Sequence, residues 1–286
     1  MGFTTPLGNA FTVLKEHPII IVPFLVFLIA IIVVSVILAL VTVGAVSAGA
    51  SSLFTTGTPT FGNILAVFVP LVLGIIIIAL IGGAFMQGMY IDLARQGLSG
   101  KVSLGSAWDI SKDRALRLIA LNFLILIIYG VVIVILAYGT GVPGVIQHII
   151  ASYTSSITSG SQGISTLISL VAGVLAFFIL LVIAGVIMSV LFYQATVVVV
   201  LENIGVIAAL KRSYNIGKNN FVTILLFLIF VGIVTTILSV VIALFGAIPI
   251  LGVIIRLAGD VLLGVWGSMI PAMFYFEYIK PMKKKK

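Results

Sequence analysis

The sequence has no cysteine and little charge: 8% of its 286 residues are Asp, Glu, Lys or Arg, and only 7 of these are acidic. Without cysteine there is no disulfide scaffold and no thiolate-held zinc or iron–sulfur centre. With so few charges the chain cannot build a water-facing surface, because a soluble domain carries about 25% charged residues. What it has instead is 62% hydrophobic residues and a mean hydropathy of +1.40, gathered into long runs. This composition excludes disorder and collagen-like structure, and reads as an all-α polytopic membrane protein.

A hydrocarbon core about 30 Å thick calls for about 20 apolar residues in a helix. Six runs of that size are bounded by polar segments: Ile19–Val43, Ile64–Tyr90, Ala115–Tyr138, one that begins at Ile164, Phe221–Phe245 and Leu251–Ile279. Ala48-Gly49-Ala50 after the first looks like a signal-cleavage site. A signal core holds about 7–15 apolar residues, however, and this run has 25, so it reads as a retained helix. The fourth run continues for 38 residues to Leu201, about 57 Å as a helix, so it must tilt, break or emerge. The polar Tyr193-Gln194-Ala195-Thr196 is the expected break, with Val197–Leu201 continuing under protein cover.

The 15 basic residues are distributed asymmetrically. Lys15 precedes the first span. Arg95, Lys101, Lys112 and Arg114 lie between the second and third, with Arg117 in the first turn of the third, and Lys211, Arg212 and Lys218 lie between the fourth and fifth. Lys280 and Lys283–Lys286 follow the last. Residues 44–63, 139–163 and 246–250 contain neither Lys nor Arg. Positive charge stays on the cytoplasmic side, so both termini of this multi-pass cell-membrane protein are expected there. Basic residues beside spans point to anionic lipid head groups as partners, with a protein partner also compatible, rather than nucleic acid.

A threefold pattern recurs in the basic connections: Phe11-Thr12-Val13-Leu14-Lys15-Glu16, Trp108-Asp109-Ile110-Ser111-Lys112-Asp113 and Tyr214-Asn215-Ile216-Gly217-Lys218-Asn219. Upstream, Phe85-Met86-Gln87 matches Phe192-Tyr193-Gln194. The pattern predicts three parallel units, 1–97, 98–203 and 204–286, each an amphipathic interfacial helix followed by a transmembrane hairpin and all facing the same way. Pro6, Ser103 and Asn203 are the expected start signals of those helices. Lys15, Trp108, Lys112, Lys211, Arg212, Tyr214 and Lys218 are the candidate interfacial lipid contacts, aromatic tips and lysines being suited to the head-group layer.

Ionisable and amide groups inside spans are costly and are candidates for function. Arg256 and Asp260 stand one helical turn apart in the sixth span. They read either as a proton- or ion-handling pair or as a neutralised structural pair. Gln87 and Gln194, at matching positions, either line a cavity or bond between helices. Glu202 is placed to reach Lys211 or Arg212. Ala84 with Gly88, and Gly264 with Ser268, are small pairs that permit close packing. His17 and His148 fall on opposite sides of the membrane, and the sequence has no phosphate-binding loop, nucleophile elbow or HExxH motif. No enzymatic activity, metal site or cofactor is therefore expected.

At Leu201-Glu202-Asn203, Ala209-Leu210-Lys211-Arg212-Ser213 and Lys218-Asn219-Asn220-Phe221, and at Gly100-Lys101-Val102-Ser103-Leu104, the chain resembles the membrane domain attached to some glycerophosphodiester phosphodiesterases and the related stand-alone bacterial and archaeal membrane proteins. The resemblance implies a six-helix membrane module without an assigned activity. No phosphodiesterase domain is expected in a chain ending at Lys286, and that activity is not carried over. Two functions remain open: a non-enzymatic module that binds lipid or a partner protein, and a small permease with Gln87, Gln194, Arg256 and Asp260 along its path.

The cysteine-free background makes the topology testable. Single cysteines at Ser51 and Ser155 are expected to react with an impermeant thiol reagent in intact cells, and cysteines at Ser103 and Ser213 are not. The opposite pattern would reverse the orientation.

Overall fold

The computed structural model describes residues 2–56, 61–142, 144, 147, 163–246, 248 and 251–280, with the backbone alone at 39, 42–56, 61–73, 75–77, 79 and 163–170. His148 and Ser155 fall outside these. The described residues are helical, with no strand among them. The order is α1 (Thr4–Glu16), a 3-10 turn (Pro18–Ile21), α2 (Val22–Thr56), α3 (Phe61–Leu98), α4 (Leu104–Gly139), α5 (Gly163–Phe192), α6 (Ala195–Glu202), α7 (Val206–Asn219), α8 (Phe221–Gly246), α9 (Leu251–Phe274) and a π-helical turn (Tyr275–Ile279).

Among the described residues five helices are long and apolar enough to cross a bilayer: Pro18–Leu38, Leu104–Gly139, Val171–Glu202, Phe221–Gly246 and Leu251–Ile279. This is a multi-pass membrane protein by length and composition. The other expected span, Ile64–Tyr90, falls in α3, where the side chains of much of the first half are not described.

The break expected in the fourth run is present. Tyr193 and Gln194 form a turn between α5 and α6, and Val197–Val200 of α6 are fully buried. Two starts differ from expectation. Pro6 stands third in α1, which opens at Thr4. Asn203 does not open α7; it closes α6 in the left-handed conformation at φ 54°, which asparagine tolerates, and Gly205 precedes α7. Ser103 does cap α4, its Oγ accepting from Ser106 N at 3.4 Å. The leading segment of the second unit is not a separate helix, because α4 runs unbroken through 36 residues. α1 and α7 end instead in the non-helical His17 and Asn220 before their spans begin.

The core sits at the basic end of the molecule. Its buried residues come from the ends of α3 (Ala84–Ala94), α5 and α6 (Val190–Val200) and α9 (Val261–Phe274), and from α1, α7 and the first turns of α4 and α8. Towards the other end the apolar side chains of α2, α4, α5, α8 and α9 are largely exposed, a surface suited to lipid as its solvent. Each leading segment crosses the end of one span. Ser111 Oγ donates to Phe85 O of α3 at 2.6 Å, Ser213 Oγ to Leu191 O of α5 at 2.9 Å, and Trp266 Nε1 of α9 to Leu7 O of α1 at 3.1 Å.

Small residues make these crossings possible. A Cβ at Gly88 would meet Ser111 Oγ at 2.8 Å and one at Gly97 would meet Val13 at 2.2 Å, while between the spans α9 and α2 one at Gly264 would meet Phe24 at 2.8 Å. At Gly217 the neighbour is backbone: a Cβ would lie 2.7 Å from the Leu191 Cα, an atom that cannot swing aside.

Gly217→Ala is therefore expected to cost about 1–3 kcal/mol by overpacking. Gly232→Ala, with nothing within 4 Å, is expected to gain about 0.5–1 kcal/mol of helix stability. Thermal unfolding in detergent checks both, and equal melting temperatures would contradict the close approach at Gly217. Ser213 is itself buried, so an unreactive cysteine there would not report sidedness. The exposed Ser99 takes its place in the labelling experiment.

Candidate functional site

The three leading segments present one burial pattern. Phe11, Trp108 and Tyr214 are exposed, as are Lys15, Lys112 and Lys218 four residues on, while Leu14, Ser111 and Gly217 between them are buried. The similarity extends upstream of the six positions read from the sequence. Leu7-Gly8-Asn9-Ala10 matches Leu104-Gly105-Ser106-Ala107, and Ala10, Ala107 and Ser213, each just before the aromatic, are fully buried. The sequence signal for this was the Leu-Gly-x-Ala-aromatic string, which occurs twice.

All seven candidate interfacial contacts are exposed: Lys15, Trp108, Lys112, Lys211, Arg212, Tyr214 and Lys218. None of the five lysines Lys15, Lys101, Lys112, Lys211 and Lys218 makes an ion pair with a described residue, because the ion pairs found there use Arg95, Arg212 and Arg256. The lysines are thus free to meet an external anion.

Sequence reasoning missed a polar layer beneath this face. Asp92 of α3 is fully buried, with Arg95 Nη2 at 2.5 Å from Oδ1 and Gln96 Nε2 donating to Oδ2 at 2.5 Å. Arg114 of α4 lies within electrostatic reach of it. Gln96 Oε1 in turn accepts from Ser103 N at 2.6 Å, tying the end of α3 to the start of α4. Asp92 gave no signal in the sequence because its burial depends on tertiary packing around α3.

On the other side, Glu202 Oε2 stands 3.7 Å from Arg212 Nε, the arginine expected from the sequence, and Oε1 accepts a short hydrogen bond from Tyr275 of the π turn. Pro271 lies inside α9 and removes a backbone donor one turn before Tyr275. The wider turn that follows carries Tyr275 to Glu202. Arg117 Nη1 donates to Asn203 Oδ1 at 2.8 Å and Asn203 O at 3.3 Å, so α4 spans from Phe85 of one hairpin to the end of α6.

The four intramembrane candidates are not gathered in one place. Gln194 is buried, and its amide nitrogen and oxygen have no hydrogen-bond partner among the described residues, whereas Gln87 is exposed. Arg256 Nε and Asp260 Oδ2 stand 4.0 Å apart, both largely exposed. Phe274 touches Tyr193, the neighbour of Gln194, with ring centroids 6.0 Å apart. Asp260 precedes Phe274 by 14 residues, about 21 Å along α9.

A groove of about 430 Å³ opens between α2, α3 and the first turns of α4, its walls including Pro23, Phe27, Met86, Met89, Gly105 and Trp108. Trp108 meets Phe85 edge-on at 4.6 Å and remains 53% exposed.

Comparison with protein-family models, with curated proteins and with solved structures finds no match to this chain.

The two acid sites are expected to separate in stability. Asp92→Ala strands Gln96 and Arg95 and is expected to cost about 1–3 kcal/mol. Asp260→Ala, an exposed site, is expected to change stability by about 0.5 kcal/mol or less. Unfolding in detergent, followed by tryptophan fluorescence, measures the difference.

Proposed function

We propose that this chain is a non-enzymatic membrane module that binds anionic lipid head groups at the cytoplasmic face of the cell membrane. In this reading it has six transmembrane helices in three same-facing units, 1–97, 98–203 and 204–286. The observation that carries it is the threefold recurrence of an exposed aromatic followed four residues later by an exposed lysine without an ion pair, beside apolar helices. Each basic residue held near an anionic membrane surface contributes about 1 kcal/mol, and an aromatic ring at the same level suits the interface between head groups and chains.

The matching burial of the three leading segments supports the division into units, and so does the way each crosses the end of a span. The resemblance to the membrane domains of glycerophosphodiester phosphodiesterases is in keeping with such a module and brings no activity with it. The orientation rests on the one-sided distribution of Lys and Arg. A lipid is preferred to a protein partner because the free lysines and the apolar spans adjoin one another.

Gln194 favours a second reading, a small permease, since a buried carboxamide without a protein partner suits a polar path. The two readings diverge on different residues. Replacing Lys15, Lys112 and Lys218 together by Gln is expected to lower the preference for phosphatidylglycerol over phosphatidylcholine by about tenfold or more, as read by native mass spectrometry of protein taken from mixed vesicles. An unchanged preference would refute the lipid module. Asp260→Asn is expected to leave lipid retention unaltered, and a proton-linked flux abolished by that change would establish the permease instead.

A further inference from the structure

We propose that the groove between α2, α3 and the start of α4 holds one acyl chain of an anionic phospholipid, whose head group is engaged by Lys112 and Lys101. The proposal rests on the lipid-binding reading above and adds a defined site to it. The groove is about 430 Å³ with apolar walls, within the roughly 300–1,000 Å³ of small-molecule sites. An apolar groove in a membrane protein gains nothing by excluding lipid, so what distinguishes this one is the charge at its rim. On α4, Leu104 and Trp108 line the groove. Lys112 lies one turn beyond Trp108 on the same side of the helix, and Lys101 stands three residues before Leu104. Both lysines are exposed and unpaired with described residues; Asp109, three residues before Lys112, makes no ion pair with it, and Asp113 lies about 100° round the helix.

A comparison within the chain points the same way. The junction between α8, α9 and α1 is filled by the protein itself: Phe3 packs on Phe227 at 6.0 Å and Phe230 at 6.3 Å. Phe227 and Phe230 follow Phe24 and Phe27 by 203 residues, the spacing of Lys15 and Lys218. At the groove, the residue standing where Phe3 does, 97 positions on, is Gly100. The α2–α3 junction therefore lacks the ring that plugs its counterpart.

Gly105 provides a way to close the groove. It lines the wall, and a Cβ there has nothing within 4 Å. Gly105→Leu thus adds a bulky apolar side chain at the groove wall with no clash at its Cβ, and a helical glycine is replaced by a better helix former. The full chain would be placed in nanodiscs of phosphatidylcholine containing phosphatidylglycerol, with bromine on the acyl chains of one lipid or the other, and tryptophan quenching recorded. Trp108→Phe gives the background from Trp266, which is buried against Leu7.

The native protein is expected to be quenched about fivefold more effectively by brominated phosphatidylglycerol than by brominated phosphatidylcholine. Gly105→Leu should reduce that quenching to the level of bulk lipid, and Lys112→Gln should equalise the two lipids while leaving the fold intact. Native mass spectrometry on the same samples separates the two levels of failure. Phosphatidylglycerol retained with no preferential quenching, or quenching unaffected by Gly105→Leu, overturns the groove and leaves the lipid-binding face. No retained phosphatidylglycerol overturns both.

Discussion

Inside a bilayer, burying apolar surface does little to hold one helix against another, because lipid tails are equally apolar; close packing and interhelical hydrogen bonds do the holding. The structure depends on this constraint. Its three leading segments are drawn onto their neighbours at glycines that leave room for close approach, by the side chains of Ser111 and Val13 at Gly88 and Gly97 and by the Leu191 backbone at Gly217. The contacts are fixed by single donors, the hydroxyls of Ser111 and Ser213 and the indole of Trp266, each reaching a main-chain carbonyl across the crossing. The compact core follows from these crossings and lies where they are, at the basic end.

The few charges divide by type. Among the described residues the ion pairs are made by arginine, with Asp92, Glu202 and Asp260, in keeping with a planar, weakly hydrated guanidinium that suits partly buried pairing. The described lysines, compact and strongly hydrated, stay at the surface. A polar layer of Asp92, Gln96, Glu202, Tyr275 and Asn203 locks helix ends together beneath a face of unpaired ammonium groups.

The apolar helices were legible in the sequence because hydrophobic run length maps directly onto a membrane thickness, and the break at Tyr193-Gln194 was legible because the run was too long to be one crossing. The Glu202–Arg212 pair was readable from proximity along the chain. Other features depend on tertiary contact and left no such mark. Asp92 is buried by elements packed onto α3 from elsewhere in the chain. Gln87 and Gln194 occupy matching positions in the sequence, yet α3 continues as a helix to Leu98 while Gln194 sits in the turn before α6, so one amide is exposed and the other enclosed. Asn203 looked like a helix start and is a helix end, since the same side chain serves a left-handed residue as readily as an N-cap.

Among the described residues the packed core occupies one end, and beyond it the apolar side chains are largely exposed, apart from the α8–α9 hairpin, where Gly252 and Gly259 lie against Gly246 and Ile242. A helix held in this way answers a change in hydrocarbon thickness by altering its tilt about the fixed point. A thinner bilayer is then met by tilting at the far end, with α8 and α9 moving as a pair, while the packing at the lysine-bearing end is kept.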